Sequence, residues 1–314
     1  MELVSVLMST YKEPAEWVKS AVDSILNQTY PDIEFIIVQD CPENAEVRSL
    51  LMKIAKEDER IILIKNPENY GIVKSLNIGL TYCRGAYIAR MDADDISLPD
   101  RIRLQVQYLK ETKYDLIGSD FELFSECQSI RVSRKAHRAE TCREILKYES
   151  CSQHPSWLGR SEVFRSLYGY REFDTCEDLD FMHRAVLSGY KIGNCPWVCL
   201  RYRVNPDGIS NQKAAYQKAT SYYLRKQYKK KAIISLEDYN RYLESADFRR
   251  DIEREKTGIE KERILKDKTQ PVNRKLAALA ILIFNRPYMR KRLSLAAVRY
   301  LKRSERLTES DMVV

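Results

Sequence analysis

Apolar and polar positions follow two alternating patterns along the first hundred residues. Short continuous apolar runs, such as Val4–Met8, are typical of buried strands, and apolar residues every three to four positions, as in Ala15–Leu26, are typical of amphipathic helices. The same patterns then predict, in alternating order, Ile33–Val38, Ala45–Ala55, Ile61–Ile64, Val73–Leu80 and Tyr87–Met91. This alternation with short connections predicts a mostly parallel α/β sheet that is covered on both faces, with ligands at the carboxyl ends of its strands.

The regular alternation weakens after residue 100, and the chain from Gln212 onward is almost wholly helical in pattern, with long charged stretches. We therefore expect an α/β domain that carries the chemistry at residues 1–210 and a mainly helical extension at residues 211–314. The elements predicted in the second half of the α/β domain are a helix at Arg101–Lys110, strands at Leu116–Phe124 and Ser129–Ala136, and a helix at Thr175–Ser188 that Gly189 ends.

The formal net charge of +8 is unevenly distributed. Residues 211–314 hold 26 Lys and Arg against 13 Asp and Glu, whereas residues 1–210 hold 27 against 32. The acidic first part argues against a main domain that binds nucleic acid. The basic extension fits anionic lipid, a protein partner or nucleic acid, and its charge alone does not choose among them.

The cysteines and the apolar segments bear on the compartment. Eight cysteines are scattered without a CxxC pair or zinc-like spacing, which favours a reduced, cytosolic setting. The chain enters a strand-like segment at Leu3–Met8 without a basic leader, so we expect no signal peptide. The longest apolar stretch, Leu276–Phe284, is too short to span a bilayer.

An aspartate cluster, Asp92-Ala93-Asp94-Asp95, follows the strand predicted at Tyr87–Met91. Carboxylate oxygens suit Mg²⁺ or Mn²⁺, and such a cluster at the end of a strand could hold the metal against a diphosphate. The alternative is that Asp94 and Asp95 only cap a helix that begins near Leu98.

Several segments occur in a fixed order along the chain: Val4–Lys12, Ala21–Tyr30, Glu34–Asp40, Asn66–Gly71, Asn77–Leu80, Met91–Asp95 and Cys176–Phe181. In this order they resemble the family 2 glycosyltransferases over roughly residues 3–210. That resemblance implies an inverting transferase of the Rossmann-like, nucleotide-sugar (GT-A) fold, which uses one Mn²⁺ or Mg²⁺ ion. It further implies transfer of a hexose or N-acetylhexosamine from a UDP-sugar to a hydroxyl of a glycan acceptor.

The resemblance assigns the donor pocket to residues at the ends of the first strands. Asp40 would accept a hydrogen bond from the imide N–H of uracil, although a role in capping a turn stays open. Lys74 would face phosphate or base, with a solvated lysine as the equal alternative. The other donor-binding residues implied are Ser9, Thr10, Tyr11, Asn69, Gly71, Asp92, Ala93 and Asp94.

The resemblance also implies the metal ligands. Asp94 is the direct ligand, and Asp92 contacts ribose, sugar or metal-bound water. Many relatives place a histidine in the metal shell where this chain has Asn205, so a neutral carbonyl oxygen would replace an imidazole. Arg201 or Arg203 would then supply positive charge to the leaving diphosphate.

Asp178 corresponds to the general base of the family, with Glu177 beside it. The alternative is a structural role, in which Thr175-x-x-Asp178 forms a capping box, since acidic residues also stabilise the first turn of a helix. His154 and Trp157 match a segment beside the acceptor pocket, with a structural histidine and core packing of the tryptophan as the alternatives.

The basic segment Gln270–Arg306 predicts two amphipathic helices that are broken near Asn285–Pro287. These helices would contact an anionic membrane, pack against the α/β domain or build a homo-oligomer. The apolar positions at helical spacing are Leu276, Leu279, Ala280 and Ile283 in the first, and Leu293, Ala297, Tyr300 and Leu301 in the second.

These expectations describe a cytoplasmic enzyme of bacterial surface-polysaccharide or glycoprotein-glycan synthesis, with peripheral contact to the inner face of the membrane left open. Its partners would be the UDP-sugar donor and a lipid-linked or protein-linked glycan acceptor, and not nucleic acid. A different reading is a non-catalytic nucleotide-binding module for assembly or membrane recruitment. The three aspartates Asp92, Asp94 and Asp178 argue against that reading.

Overall fold

The computed structural model describes residues 1–125, 128–205, 213–267 and 269–285. These residues belong to two compact units, of which the first comprises Met1–Ile145 and Ser150–Asn205. The second comprises Leu146–Glu149 and the chain from Pro206 onward. The second amphipathic helix predicted around Leu293–Leu301 lies outside the described residues.

The first unit is built on one mixed sheet. Its strands are β1 Val4–Thr10, β2 Ile33–Gln39, β3 Ile61–Lys65, β4 Tyr87–Asp92, β5 Ile96–Ser97, β6 Leu116–Ser125, β7 Gln128–Ser133, β8 Leu158–Arg160 and β9 Ile192–Arg203. They lie in the order β3-β2-β1-β4-β8-β6-β9-β5, with β7 paired to β6. Strands β1 to β4 are parallel to one another, β8 is antiparallel to both of its neighbours, and β6 and β9 are parallel.

Helices cover this sheet because their apolar faces require burial, and the sheet is buried on both sides in its centre. Every residue of β1 and of β2 is buried. The helices are α1 Ala15–Leu26, α2 Ala45–Glu57, α3 Ile72–Leu80, α4 Arg101–Thr112, α5 Ala139–Ile145, α6 Ser161–Ser166 and α7 Glu177–Leu187, with a 3-10 turn at His154–Ser156. The mostly parallel α/β fold with a helical C-terminal extension is thus confirmed.

The boundaries of α7 differ from the prediction at one end. The helix begins at Glu177 rather than Thr175, and Cys176 precedes it at φ +65° with no side-chain capping bond. The capping box Thr175-x-x-Asp178 therefore does not form. The C-terminal end is as predicted, because Gly189 adopts φ +96° and Tyr190 N donates to Ala185 O, which closes the helix.

The second unit contains four described helices, α8 Ala214–Lys229, α9 Leu236–Glu244, α10 Ala246–Lys266 and α11 Val272–Asn285. Ser235 and Asp238 form a reciprocal capping box at the start of α9. A small core of Ala219, Tyr242 and Phe248 joins α8 to α10, and Tyr242 donates to the buried Asp251 at 2.9 Å. Across the described ranges, each helix is too short or too polar to cross a bilayer.

Candidate active site

The carboxyl ends of β1 and β4 lie side by side, because Ser9 pairs with Asp92 in the sheet register. Ser9 and Thr10 are buried there, and the Thr10 hydroxyl donates to the Glu13 carboxylate at 2.8 Å. The backbone N–H of Tyr11 donates to the same Glu13 oxygen at 2.6 Å. Glu13 therefore fixes the turn that follows β1, a role that the sequence motifs do not reveal.

Asp40 ends β2 and anchors the loop that leads into α3. Its buried carboxylate accepts three hydrogen bonds: from Asn66 Nδ2 at 2.7 Å, from Tyr70 N at 2.8 Å and from Gly71 N at 2.8 Å. These three bonds give Asp40 the role in capping a turn that the sequence left open. A carboxylate offers about four acceptor positions, so a further donor is still compatible with it, and the contact with uracil stays a prediction.

The other residues predicted for the donor pocket follow in this loop. Gly71 adopts φ +80°, a backbone conformation that favours glycine, and its N–H also lies 3.0 Å from Asn69 Oδ1. Lys74 is about half exposed and forms a long ion pair of 3.9 Å with Glu172. In this structure Lys74 is thus a solvated surface lysine, and its contact with phosphate stays a prediction.

The carboxylates of Asp92, Asp94 and Asp95 form one acidic cluster, in which one oxygen atom from each residue lies within 4.8 Å of the other two. The helix nearby, α4, begins at Arg101 with Asp100 at its N-cap position, so Asp94 and Asp95 do not cap it. Ala93 is buried between the first two aspartates. The cluster offers hard oxygen ligands of the kind that Mg²⁺ or Mn²⁺ prefers.

Two features of the cluster fit a bound cation. The Oδ2 atom of Asp95 is buried without a hydrogen-bond partner, whereas its Oδ1 atom accepts from Arg203 N at 2.8 Å. Burial, followed by the charges of Asp92 and Glu13, raises the pKa of Asp94 to about 7. A divalent cation would relieve both the unpaired oxygen and the repulsion among the carboxylates.

Arg90 links the acidic cluster to the other half of the site. Its side chain is buried in β4 and forms an ion pair with Asp92. Its charge acts to lower the pKa of both Glu177 and Asp178, against the larger effect of burial. Sequence motifs do not single out Arg90, although a lone charged residue within the apolar run Tyr87–Met91 is a usable signal.

Glu177 and Asp178 occupy the first turn of α7. The pKa of Glu177 is raised to about 7, chiefly by burial and then by the charge of Asp178. Burial also raises the pKa of Asp178, and its Oδ1 accepts the backbone N–H of Leu179 at 2.7 Å. Asp180, in contrast, is a structural residue, because its buried carboxylate forms ion pairs with Arg171 and Arg184.

His154 lies beside this carboxylate pair, with Nδ1 at 4.0 Å from Glu177 Oε1. Its Nε2 is hydrogen-bonded to the Tyr170 hydroxyl at 2.9 Å, and burial, with the charge of Arg90, holds its pKa well below the usual value. Trp157 is fully buried, and its ring packs at 4.6 Å from that of His154. Burial of the whole ring favours core packing for Trp157 over the predicted contact with an acceptor sugar.

The last residues of β9 close the site. Arg203 donates from Nε to the backbone oxygen of Asp94 at 2.7 Å, and its guanidinium packs over the rings of Trp17 and Phe124, at 4.5 Å from each. Arg201 forms an ion pair with Glu122 at 2.9 Å. Of Arg201 and Arg203, Arg203 is therefore the one that contacts the acidic cluster, whereas the metal contact of Asn205 stays a prediction.

Comparison with known proteins shows the family to which the chain belongs. The model of the family described as glycosyl transferase family 2 matches residues 5–167. An uncharacterized glycosyltransferase from Methanocaldococcus jannaschii is 35% identical over 228 residues, which cover 71% of this chain and 78% of that protein. The chain belongs to glycosyltransferase family 2. The resemblance inferred from the sequence motifs is thus confirmed.

Further matches include a curated bacterial glycosyltransferase and a solved crystal structure. The O-antigen biosynthesis glycosyltransferase WbnJ from Escherichia coli is 29% identical over 237 residues, which cover 75% of this chain and 92% of that protein. Staphylococcus aureus TarS, crystallised as residues 1–349 with UDP-GlcNAc, superposes with a TM-score of 0.58 at 14% identity and covers 98% of this chain and 77% of its own.

A mannosyltransferase from Pyrobaculum calidifontis, solved with GDP-Man and Mn²⁺, superposes equally well. Its TM-score is 0.58 at 18% identity, and the match covers 96% of this chain and 87% of that one. At these identities the two structures establish the GT-A fold of the family 2 glycosyltransferase described here.

We expect Arg90→Met to destabilise the protein by about 3 kcal/mol, because removing one partner leaves the other charge of a largely buried pair without compensation. Arg90 is 4% exposed and Asp92 30% exposed at the side chain, so little water replaces the lost ion pair. Urea unfolding would measure the change. The double variant Arg90→Met/Asp92→Asn should recover part of the loss, and a loss below about 1 kcal/mol in the single variant would contradict this role.

Proposed function

We propose that the protein is an inverting, metal-dependent glycosyltransferase that moves a hexose or N-acetylhexosamine from a UDP-sugar to a hydroxyl of a glycan acceptor. The single observation that carries this proposal is that a chain of this family brings Asp92, Asp94 and Asp95 together, with one carboxylate oxygen of each within 4.8 Å of the others. The charges of Asp92 and Arg90 both act on the pKa of Glu177 and of Asp178, which supports placing this second pair of carboxylates in the same site. Two acidic groups with different environments suit one donor-binding role and one general-base role.

Asp178 acts as the general base in this proposal. Its carboxylate takes the proton of the acceptor hydroxyl while the hydroxyl oxygen forms a bond to the anomeric carbon. The bond from that carbon to the diphosphate oxygen breaks, and its electron pair leaves with the nucleoside diphosphate. Attack from the face opposite the diphosphate inverts the anomeric configuration. Burial of Asp178 supports this role, because a raised pKa makes a carboxylate a stronger base.

The acidic cluster would hold the diphosphate end of the donor. Asp94 and Asp92, together with the unpaired oxygen of Asp95, would ligate Mn²⁺ or Mg²⁺, and the ion would stabilise negative charge on the departing diphosphate. Arg203 holds the backbone of Asp94 in place at 2.7 Å and adds positive charge to this end of the site. The Mn²⁺ in the mannosyltransferase structure supports a metal in this fold.

A bacterial surface polysaccharide is the proposed destination of the sugar, as the name of the Escherichia coli relative suggests. The uridine preference rests on Asp40 and on the UDP-GlcNAc in the TarS structure. Donor hydrolysis with UDP-Glc, UDP-Gal, UDP-GlcNAc, UDP-GalNAc and GDP-Man, each with and without Mn²⁺, tests the proposal. We expect metal-dependent hydrolysis of one UDP-sugar. A preference for GDP-Man would overturn the uridine assignment, and nucleotide binding without any turnover would favour the non-catalytic module.

The pH dependence follows from the raised pKa values of the carboxylate pair. A group with a raised pKa stays protonated, and inactive as a base, up to a higher pH. With the pKa of Asp178 raised by burial, and that of Glu177 raised to about 7, kcat/KM for transfer should fall as the pH drops through the raised pKa of Asp178, above the ordinary range of an aspartate. Glu177→Gln should move this decline to lower pH, because it removes a neighbouring negative charge. A rate that stays constant down to pH ~5 would contradict the assignment.

A further inference from the structure

Tyr170 lies in the loop before α7 and has no part in the mechanism proposed above. The residue is 3% exposed, and its hydroxyl lies 2.9 Å from Nε2 of His154. Nε2 is the only hydrogen-bond partner that the described residues offer this hydroxyl. Burial raises the pKa of Tyr170, so the proton stays on the phenolic oxygen. Because a buried O–H group without an acceptor is costly, Tyr170 donates to Nε2.

This hydrogen bond decides which nitrogen of His154 carries the ring proton. Burial, followed by the charge of Arg90, holds the pKa of His154 well below its usual value, so the ring is neutral and has one N–H group. Since Nε2 accepts from Tyr170, that proton lies on Nδ1. Nδ1 is the nitrogen that faces Glu177, at 4.0 Å from Oε1. The opposite tautomer would turn a nitrogen lone pair toward the carboxylate and leave the Tyr170 proton without an acceptor.

The space between His154 Nδ1 and Glu177 Oε1 suits one further oxygen atom. At 4.0 Å the two atoms are too far apart for a direct hydrogen bond. An oxygen that accepts from the Nδ1–H group and donates to Oε1 would satisfy both, as a bridging water does. A hydroxyl group can donate and accept at once. A hydroxyl held there lies next to Glu177, which directly precedes Asp178, the proposed general base.

The backbone around Tyr170 and His154 is held in place. Asn77 of α3 binds Tyr170 twice, because its Oδ1 accepts from Tyr170 N at 2.9 Å and its Nδ2 donates to Tyr170 O at 2.7 Å. Gly169, at φ +69°, leaves room for Asn77, whose Oδ1 would lie 2.5 Å from a Cβ atom at that position. His154 begins a 3-10 turn, and Pro155 follows it. The geometry of the pair is therefore fixed before any substrate binds.

We propose that Tyr170 is a positioning residue, whose hydroxyl keeps the His154 proton on Nδ1 so that this N–H group and Glu177 together hold one hydroxyl oxygen. The oxygen belongs to the acceptor during transfer and to water during donor hydrolysis. This role rests on the proposed transferase function and deepens it. Tyr170 acts through His154 and needs no contact with donor or acceptor. The tautomer of His154 depends on no substrate and can be measured separately.

Nitrogen NMR of the protein with isotope-labelled histidine tests the tautomer. The chain has three histidines, and loss of a signal in His154→Asn assigns the signals of His154. We expect a protonated Nδ1 and an unprotonated Nε2 in the native protein at neutral pH. Tyr170→Phe should populate the opposite tautomer, because the hydroxyl donor is gone. Protonation of Nε2 in the native protein would overturn the proposal.

Turnover of the donor gives a second test, with the sugar nucleotide that is hydrolysed fastest. We expect Tyr170→Phe to lower kcat about tenfold, the usual effect of one hydrogen bond in a buried network, with KM for the donor within about twofold. The His154→Asn side chain ends near the position of Nδ1, so it can donate toward Glu177 without reaching Tyr170. In that background Tyr170→Phe should change kcat by less than about twofold. An equal loss in both backgrounds, or no change in tautomer and kcat, would overturn the role of Tyr170.

Tyr87→Phe is the matched control. Tyr87 is also a buried tyrosine, but it begins β4, at the opposite end of the strand from Asp92, and its hydroxyl bonds to Glu2 at 3.3 Å. This variant should leave the His154 signals and kcat unchanged, and circular dichroism verifies that every variant is folded. A native chain that hydrolyses no donor would refute the transferase and leave the His154 proton on Nδ1. Donor turnover with a protonated Nε2 would refute only the positioning role.

Discussion

Asp178→Asn is expected to reduce sugar transfer by roughly 10²- to 10⁴-fold, because it removes the general base and keeps the shape of the side chain. The loss should fall on kcat, since the acidic cluster that would bind the donor diphosphate is unchanged. The asparagine can still accept the Leu179 N–H bond that Asp178 Oδ1 accepts at 2.7 Å, so α7 should stay in place. Transfer to a glycan acceptor under saturating donor measures the effect, and calorimetry with UDP measures donor affinity.

Glu162→Gln is the matched control for this substitution. Glu162 is an exposed carboxylate in the first turn of α6, so the same loss of charge at a helix start should leave transfer unchanged. Full activity of the Asp178→Asn variant would exclude Asp178 as the base. A large loss in UDP affinity would instead assign Asp178 to donor binding.

Asp94→Ala is expected to lower metal-dependent donor turnover by roughly 10²- to 10³-fold, which is the usual cost of losing one strong electrostatic contact to the transition state. Turnover that remains should respond weakly to added Mn²⁺, because a central carboxylate of the cluster is gone. A Mn²⁺ titration of donor hydrolysis gives both values. An unchanged Mn²⁺ dependence would show that the cation binds elsewhere.

Protein stability separates this effect from damage to the fold. Because the pKa of Asp94 is raised from 3.8 to about 7, its ionised form opposes folding, and the cost grows as the pH rises between these two values and is complete above about 7. Asp94→Ala should therefore keep or raise Tm at pH 8, with a smaller effect at pH 5. Asp100→Ala, at the half-exposed N-cap position of α4, is the control and should leave the Mn²⁺ dependence unchanged.

Local sequence patterns predict most of the first sheet. The strands and helices between Val4 and Asp92 begin within one residue of the predicted positions, because each has a distinct apolar period and is bounded by polar or turn residues. The patterns do not predict the order of β8, β6 and β9 beside β4, since strand pairing depends on contacts between segments far apart in sequence. Helix α7 also starts later than predicted, because Cys176 adopts a left-handed backbone conformation that the sequence gives no reason to expect of a cysteine.

The sequence by itself identifies the family and the acidic side chains of the candidate site. It does so because the motifs around Asp92, Asp94 and Asp178 are local and occur in a fixed order. Only the tertiary structure decides which charged groups lie close enough to change one another's pKa. Arg90 is buried beside Asp92 and its charge also acts on Glu177 and Asp178, Arg203 reaches the backbone of Asp94 from β9, and Trp157 is enclosed by the core. The reason is physical, because charge interactions depend on distance in space and burial depends on the exclusion of water. Neither distance nor burial can be inferred from the local order of residues.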